Sequence, residues 1–234
     1  MTKQVNPPLF VVGLKAYIWG RRALRLAKII EEISRDTSVC FCIVPQLVDI
    51  YLLAKETKVP IFASTMDPIK PGRGAGLHLP EALKEAGAVG VMINHCENRR
   101  TLSDIQKLIR RAHEVGLLAL VCCDSPEIAA AAALLGADLV ASEPPELIGT
   151  LSSVGRVMEG FVKNSVEAVK RINPKTTVLV GAGVSTPEDA AKIIRLGADG
   201  TGASRAVFEA EDPKTLLKQI ARAVEDEWIR RGNP

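Results

Sequence analysis

The sequence predicts an α/β protein folded as a single (β/α)8 barrel. Three observations predict it. Eight short apolar runs, mostly β-branched, alternate with amphipathic helical patterns along the chain. The runs are continuous rather than alternating, as parallel strands covered by helices require. The 234 residues come close to the roughly 250 typical of such barrels. No linker or low-complexity stretch divides them, so residues 1–234 read as one domain. An open doubly wound sheet is the competing arrangement.

The predicted strands are 9–14, 39–44, 59–63, 89–93, 117–122, 138–141, 177–180 and a weak eighth at 199–203. After the first, Ala23, Leu26, Ala27, Ile30 and Ile33 recur at spacings of three and four, the stripe of a helix. Leu102, Ile105, Leu108, Ile109 and Ala112 repeat that pattern over 101–115. Further helices are expected over 127–135, 157–172, 187–196 and 213–229. Asp124-Ser125-Pro126, Ser185-Thr186-Pro187-Glu188 and Asp212-Pro213 supply N-caps followed by a first-turn proline. Leu-Gly-Ala-Asp, at 135–138 and again at 196–199, supplies a glycine stop before the next strand.

Composition narrows the function. Hydrophobic residues make up 47% and aromatics only 4%, so the core is aliphatic. The net charge of +3 is spread along the chain, without a basic arm or aromatic-laced patch. Nucleic acid is therefore not an expected partner. No apolar run reaches the ~18 residues of a membrane span. Met1 to Pro8 shows no signal pattern, which points to the cytoplasm. Five cysteines form no C-x-x-C pair and only three histidines exist, so no metal site is expected.

Chemistry is expected where strands end, because barrels place their sites there. Lys15, His95 and Glu143 follow the first, fourth and sixth runs. A histidine and a carboxylate so placed suit acid–base work on a carbonyl compound. Glycines follow the later runs: Gly149, Gly181-Ala182-Gly183 and Gly202-Ala203-Ser204. Small residues let backbone N–H groups approach an anion, and barrels commonly hold phosphate after strands seven and eight.

Three segments carry a family resemblance: Asn94-His95-Cys96-Glu97-Asn98-Arg99, Glu143-Pro144-Pro145-Glu146-Leu147-Ile148-Gly149-Thr150 and Gly181-Ala182-Gly183-Val184-Ser185. With Pro45-Gln46-Leu47-Val48-Asp49 and Asp67-Pro68-Ile69-Lys70-Pro71-Gly72, they resemble the short archaeal type of triosephosphate isomerase over nearly the whole chain. The resemblance implies a TIM barrel and a cofactor-free isomerase of glyceraldehyde 3-phosphate and dihydroxyacetone phosphate. It makes Glu143 the base, His95 the electrophile, Lys15 the group that attracts and stabilises negative charge, and Glu97 their support. It places Gly13, Lys15, Ile148, Gly149, Gly183, Ser204 and Arg205 around the substrate and its phosphate. It makes 144–156 a closing loop, and it implies a homo-oligomer, dimer or tetramer.

The departures from the family pattern are equally specific. Gly13 stands where the family has asparagine, and Ala75 where a loop threonine supports that asparagine across the subunit interface. Gly202 and Ala203 replace two leucines, Arg205 a serine and Ala206 a glycine. In the lid, Leu151 replaces a glycine and Gly155 a serine; Cys96 replaces the serine after the histidine. Gly13, Gly202 and Ala203 are expected to open space, and Arg205 faces either the site or solvent. Three readings stay open: a triosephosphate isomerase, a related isomerase of another phosphorylated sugar, or a catalytically weak metabolite-binding relative. The retained Lys15, His95 and Glu143 argue against the last.

Overall fold

The computed structural model describes residues 5–150 and 152–232. Eight parallel strands form one sheet: β1 (Leu9–Gly13), β2 (Cys40–Val44), β3 (Phe62–Ala63), β4 (Gly90–Ile93), β5 (Leu118–Cys123), β6 (Leu139–Ser142), β7 (Thr177–Val180) and β8 (Gly200–Ala203). Their order is β2-β1-β8-β7-β6-β5-β4-β3, and an isolated bridge between Ile43 and Ile61 brings the two end strands together. The architecture is a (β/α)8 barrel. β3 is short because Pro60 has no N–H to give a ladder. Its carbonyl accepts the Ile43 N–H at 3.0 Å, and that contact carries the seam.

The helices are α1 (Gly20–Ile33), α2 (Ile50–Glu56), α3 (Pro80–Glu85), α4 (Leu102–Glu114), α5 (Pro126–Leu134), α6 (Val154–Val157), α7 (Glu159–Ile172), α8 (Pro187–Arg195), α9 (Arg205–Glu209) and α10 (Pro213–Arg230). The expected caps form: Ser125 accepts from the Ile128 N–H, and Thr186 with Asp189 makes a reciprocal capping box. The predicted helix over 157–172 is α7, starting at Glu159; Val157 ends the short α6, and Met158 between them leaves helical geometry at ψ 55°. The long helices bury the predicted stripes, for example Ile105, Leu108, Ile109 and Ala112 of α4. None of the described helices is long and apolar enough to cross a membrane.

Two aliphatic cores result. The inner one fills the barrel with Leu9, Cys42, Val44, Phe62, Leu120, Leu139 and Leu179. The outer one packs the other strand faces, including Phe10, Val12, Ile43, Val121 and Val180, against the helices. All five cysteines are free thiols. The Leu-Gly-Ala-Asp repeat acts as a tie between strands. Asp138 accepts the Ala119 N–H at 2.8 Å, and Asp199 accepts the Val178 N–H at 2.9 Å. Each carboxylate thereby fixes the start of the preceding strand.

Space is not gained at Gly202 or Gly13, where the sequence suggested it. A Cβ on Gly202 would stand 2.5 Å from the Val11 carbonyl oxygen, and one on Gly200 2.6 Å from that of Leu9. At Gly202, β1 has closed on β8 and its backbone takes the volume of the missing leucine side chain, whereas Ala203 stands on the cavity wall. At Gly13 the position is filled from the other side: a Cβ there would lie 2.9 Å from Ser204 Oγ.

Candidate active site

One cavity of about 380 Å³ opens at the carboxyl ends of the strands. Its floor is the apolar top of the inner core, with Val11, Met92, Leu120 and Leu179. Around it stand Gly13, Lys15, His95, Glu97, Glu143, Ile148, Gly149, Gly183, Ser204 and Arg205. Ala75 and Gly155 do not line it, and Leu151 lies outside the described residues.

The backbone at the rim is strained. Among described non-glycine residues, Lys15, Asn94 and Ala182 have left-handed φ, at 45°, 64° and 93°. They follow β1, β4 and β7 respectively. Such conformations cost about 1–3 kcal/mol each and persist where the surroundings enforce them. The enforcing bonds are present at two of them. Gln46 Nε2 donates to the Lys15 carbonyl at 2.7 Å. Asn94 donates from Nδ2 to the Cys122 carbonyl at 2.9 Å and accepts the Arg100 N–H at 2.9 Å. These bonds aim Lys15 and the adjacent His95 into the mouth.

Lys15 Nζ reaches Glu97 Oε1 at 3.1 Å, forming a partly exposed ion pair. The Glu97 backbone N–H donates to His95 Nδ1 at 3.2 Å. A ring whose Nδ1 accepts must carry its proton on Nε2 when neutral. Burial, then the Lys15 cation, hold the imidazole below its usual pKa, with Glu97 opposing. His95 is thus a neutral hydrogen-bond donor at neutral pH. Glu143 is shifted the other way: burial raises its carboxyl above the ordinary range, Lys15 lowers it and Glu97 raises it. Its Oε1 lies 3.1 Å from where a Gly181 side chain would begin, so a side chain there would crowd the carboxylate. The Glu143 N–H is tied to the Cys123 carbonyl at 2.8 Å.

The opposite wall is made of loops. Gly183, at φ 67°, meets the lid so closely that a Cβ would stand 2.0 Å from the Ser152 carbonyl oxygen. The Val154 N–H donates to the Ala182 carbonyl at 3.1 Å. Gly155 is buried against Ile193 of α8, where a Cβ would come within 2.9 Å. It is therefore a packing position at the lid's base, and no serine hydroxyl from it would reach the cavity. Arg205 sits at the rim. Its Nε donates to Glu209 Oε1 at 2.6 Å and its NH1 to the Gly149 carbonyl at 3.1 Å. It lines the cavity at this rim while strapping α9 to the loop at Gly149. Sequence reasoning missed Gln46 and Thr65. Thr65 accepts from Asn98 Nδ2 at 3.1 Å and from Arg100 at 3.4 Å, bracing the loop after His95. The signals for Gln46 were its place just after a strand and its presence in a segment that carries the family resemblance.

The triosephosphate isomerase family model matches residues 8–224. The chain is 40% identical to the triosephosphate isomerase of Methanosarcina barkeri over 93% of its own length and 99% of that protein. It is 40% identical to that of Methanothermus fervidus over 92% of this chain and 98% of the relative. It is also 40% identical to that of Methanobacterium bryantii over 96% of this chain and 100% of the relative. By fold, site and sequence together, this chain belongs to the triosephosphate isomerase family.

Proposed function

We propose that this protein interconverts glyceraldehyde 3-phosphate and dihydroxyacetone phosphate, acting as one domain and without a cofactor. The observation that carries this reading is the pairing of a neutral, Nε2-protonated His95 with a base of raised pKa, Glu143, on one cavity. That division of labour is the one known for the family.

The carbon acid next to a carbonyl is weak, so the reaction needs both a base and stabilisation of the developing oxyanion. Glu143 takes the proton from one carbon and returns it to its neighbour. His95 Nε2–H donates to the oxygen on which charge develops. Lys15 adds a positive charge beside the enediolate and draws in the dianionic substrate. Glu97 holds Lys15 by its carboxylate and His95 by its backbone N–H. The phosphate is held on the side of Ile148, Gly149, Gly183, Ser204 and Arg205, where small residues and backbone N–H groups leave room for an anion. Lid residues over 144–156 then exclude water.

The test is a coupled assay in both directions with purified protein. Turnover at tens per second or more supports the reading. A folded protein that turns over neither triose phosphate sinks it.

We further propose a homo-oligomer, a dimer or a dimer of dimers, located in the cytoplasm. Large apolar side chains are exposed after β1 through β4: Trp19 at 61%, Val48 at 87%, Tyr51 at 62%, Leu77 at 49% and Leu102 at 57%. An apolar surface on one side of the barrel fits burial against a second copy. Sedimentation equilibrium reads this directly, and a monomer at micromolar concentration refutes it.

A further inference from the structure

We propose that Asp189 is a positioning residue that couples the lid to the loop on which the phosphate is read. The inference rests on the lid and phosphate loop having the roles given above. Asp189 is 1% exposed, at the third position of α8, and its two oxygens face different segments. Oδ2 accepts the Ser185 N–H at 3.1 Å, the Ser185 hydroxyl at 3.2 Å and the Thr186 N–H at 3.0 Å. Those bonds fix the end of the 181–185 loop. Oδ1 is paired at 2.7 Å with Nε of Arg156, in α6 at the lid's trailing end.

A capping carboxylate needs only Oδ2 to do its work for the helix. The second oxygen carries an interaction that a cap does not require. It joins a buried acceptor to a half-exposed guanidinium across two segments that also touch at Val154–Ala182 and Ser152–Gly183. Neither Arg156 nor Asp189 lines the cavity. Any effect of this pair on phosphate recognition must therefore travel through the two segments it joins. When the lid's trailing end is seated, Arg156 neutralises the charge whose other oxygen orders Ser185 and Thr186. When it leaves, that carboxylate is buried with its charge uncompensated, a costly state that favours reseating.

Arg156→Gln removes the cation while leaving the capping box intact, and Arg156→Lys keeps a cation. Hydrogen exchange is read over 148–158 and 183–187, with and without inorganic phosphate. We expect Arg156→Gln to speed exchange in both segments and weaken phosphate protection of both, with Arg156→Lys restoring most of it. In kinetics, kcat/KM should fall about tenfold, since small misplacement of positioning groups is amplified in rate. Asp189→Asn, which turns an amide toward Arg156, should add little when combined with Arg156→Gln. Faster exchange confined to 148–158 would overturn the coupling, as would additive effects of the two substitutions. If the wild-type protein isomerises neither triose, the functional reading fails, while the exchange data still decide the coupling.

Discussion

The two sides of the cavity mouth are built by different means. At the ends of β1, β4 and β6 stand long side chains, Lys15, His95 and Glu143, the first two aimed by backbone strain and cross-loop hydrogen bonds. On the side of β7, β8 and the lid, the wall is backbone and glycine, with Gly183 pressed against Ser152. In the proposed reaction the first side decides which bonds change. In the same proposal the second decides what fits and whether water stays out. Side-chain identity governs one, and close approach of main chain governs the other.

The largest expected effect tests the first side. Glu143→Gln should lower kcat by about 10²–10⁴-fold, the range for loss of a positioned proton carrier, with KM little changed. The same substitution should stabilise the fold. Burial raises the carboxyl's pKa, so the folded state favours the protonated form. That contribution is full below the unfolded pKa and is lost as pH rises through the folded one. At pH 7 the charge is a liability, and an uncharged amide should raise Tm by about 2 °C. A variant that loses activity and stability together would break the assignment of Glu143 as a strained, reactive group.

Next comes the second side. Gly183→Ala should cut kcat/KM by about 100-fold, because a methyl cannot occupy the 2.0 Å gap to the lid. An unaltered rate would show that lid seating against Gly183 does not matter. A smaller effect concerns pH. Glu143 must be ionised to take a proton, so kcat rises with pH through its pKa. Glu97 raises that pKa, so Glu97→Gln should move the acid limb of kcat to lower pH. A limb that stays in place would separate Glu97 from Glu143 electrostatically. Smallest is Gly13→Asn, which must displace Ser204 Oγ to fit. Activity should change only severalfold, and Gly13→Asn with Ser204→Ala should exceed the single variant.

Much of the reacting side was legible in the sequence. Lys15, His95 and Glu143 each fall within two residues of the end of an apolar run, and run ends are countable. Helix starts were legible because Ser125, Thr186 and Asp212 are cap residues before prolines. The other side was read less well, for a physical reason. Gly202 looks like lost volume on the page, but whether a glycine opens a hole or admits a neighbouring strand depends on the neighbour. Arg205 could point either way until Glu209 and the Gly149 carbonyl were near it. Gly155 reads as a lost hydroxyl and is a contact with Ile193. The break at Met158 carries no proline or glycine of its own, so the predicted helix began two residues before α7 does.

The bridge between Ile43 and Ile61 bears on how the molecule comes apart. A closed ring of strands has no edge to offer another chain, and this ring closes at its shortest strand through few hydrogen bonds. Local opening favours the place with least to break. Parting of that seam would leave β2 and β3 as two raw edges while the other strand pairs stay laced. Self-association through strand pairing, on heating or mild denaturation, would therefore start at β2 and β3, far along the ring from β6, which Glu143 follows.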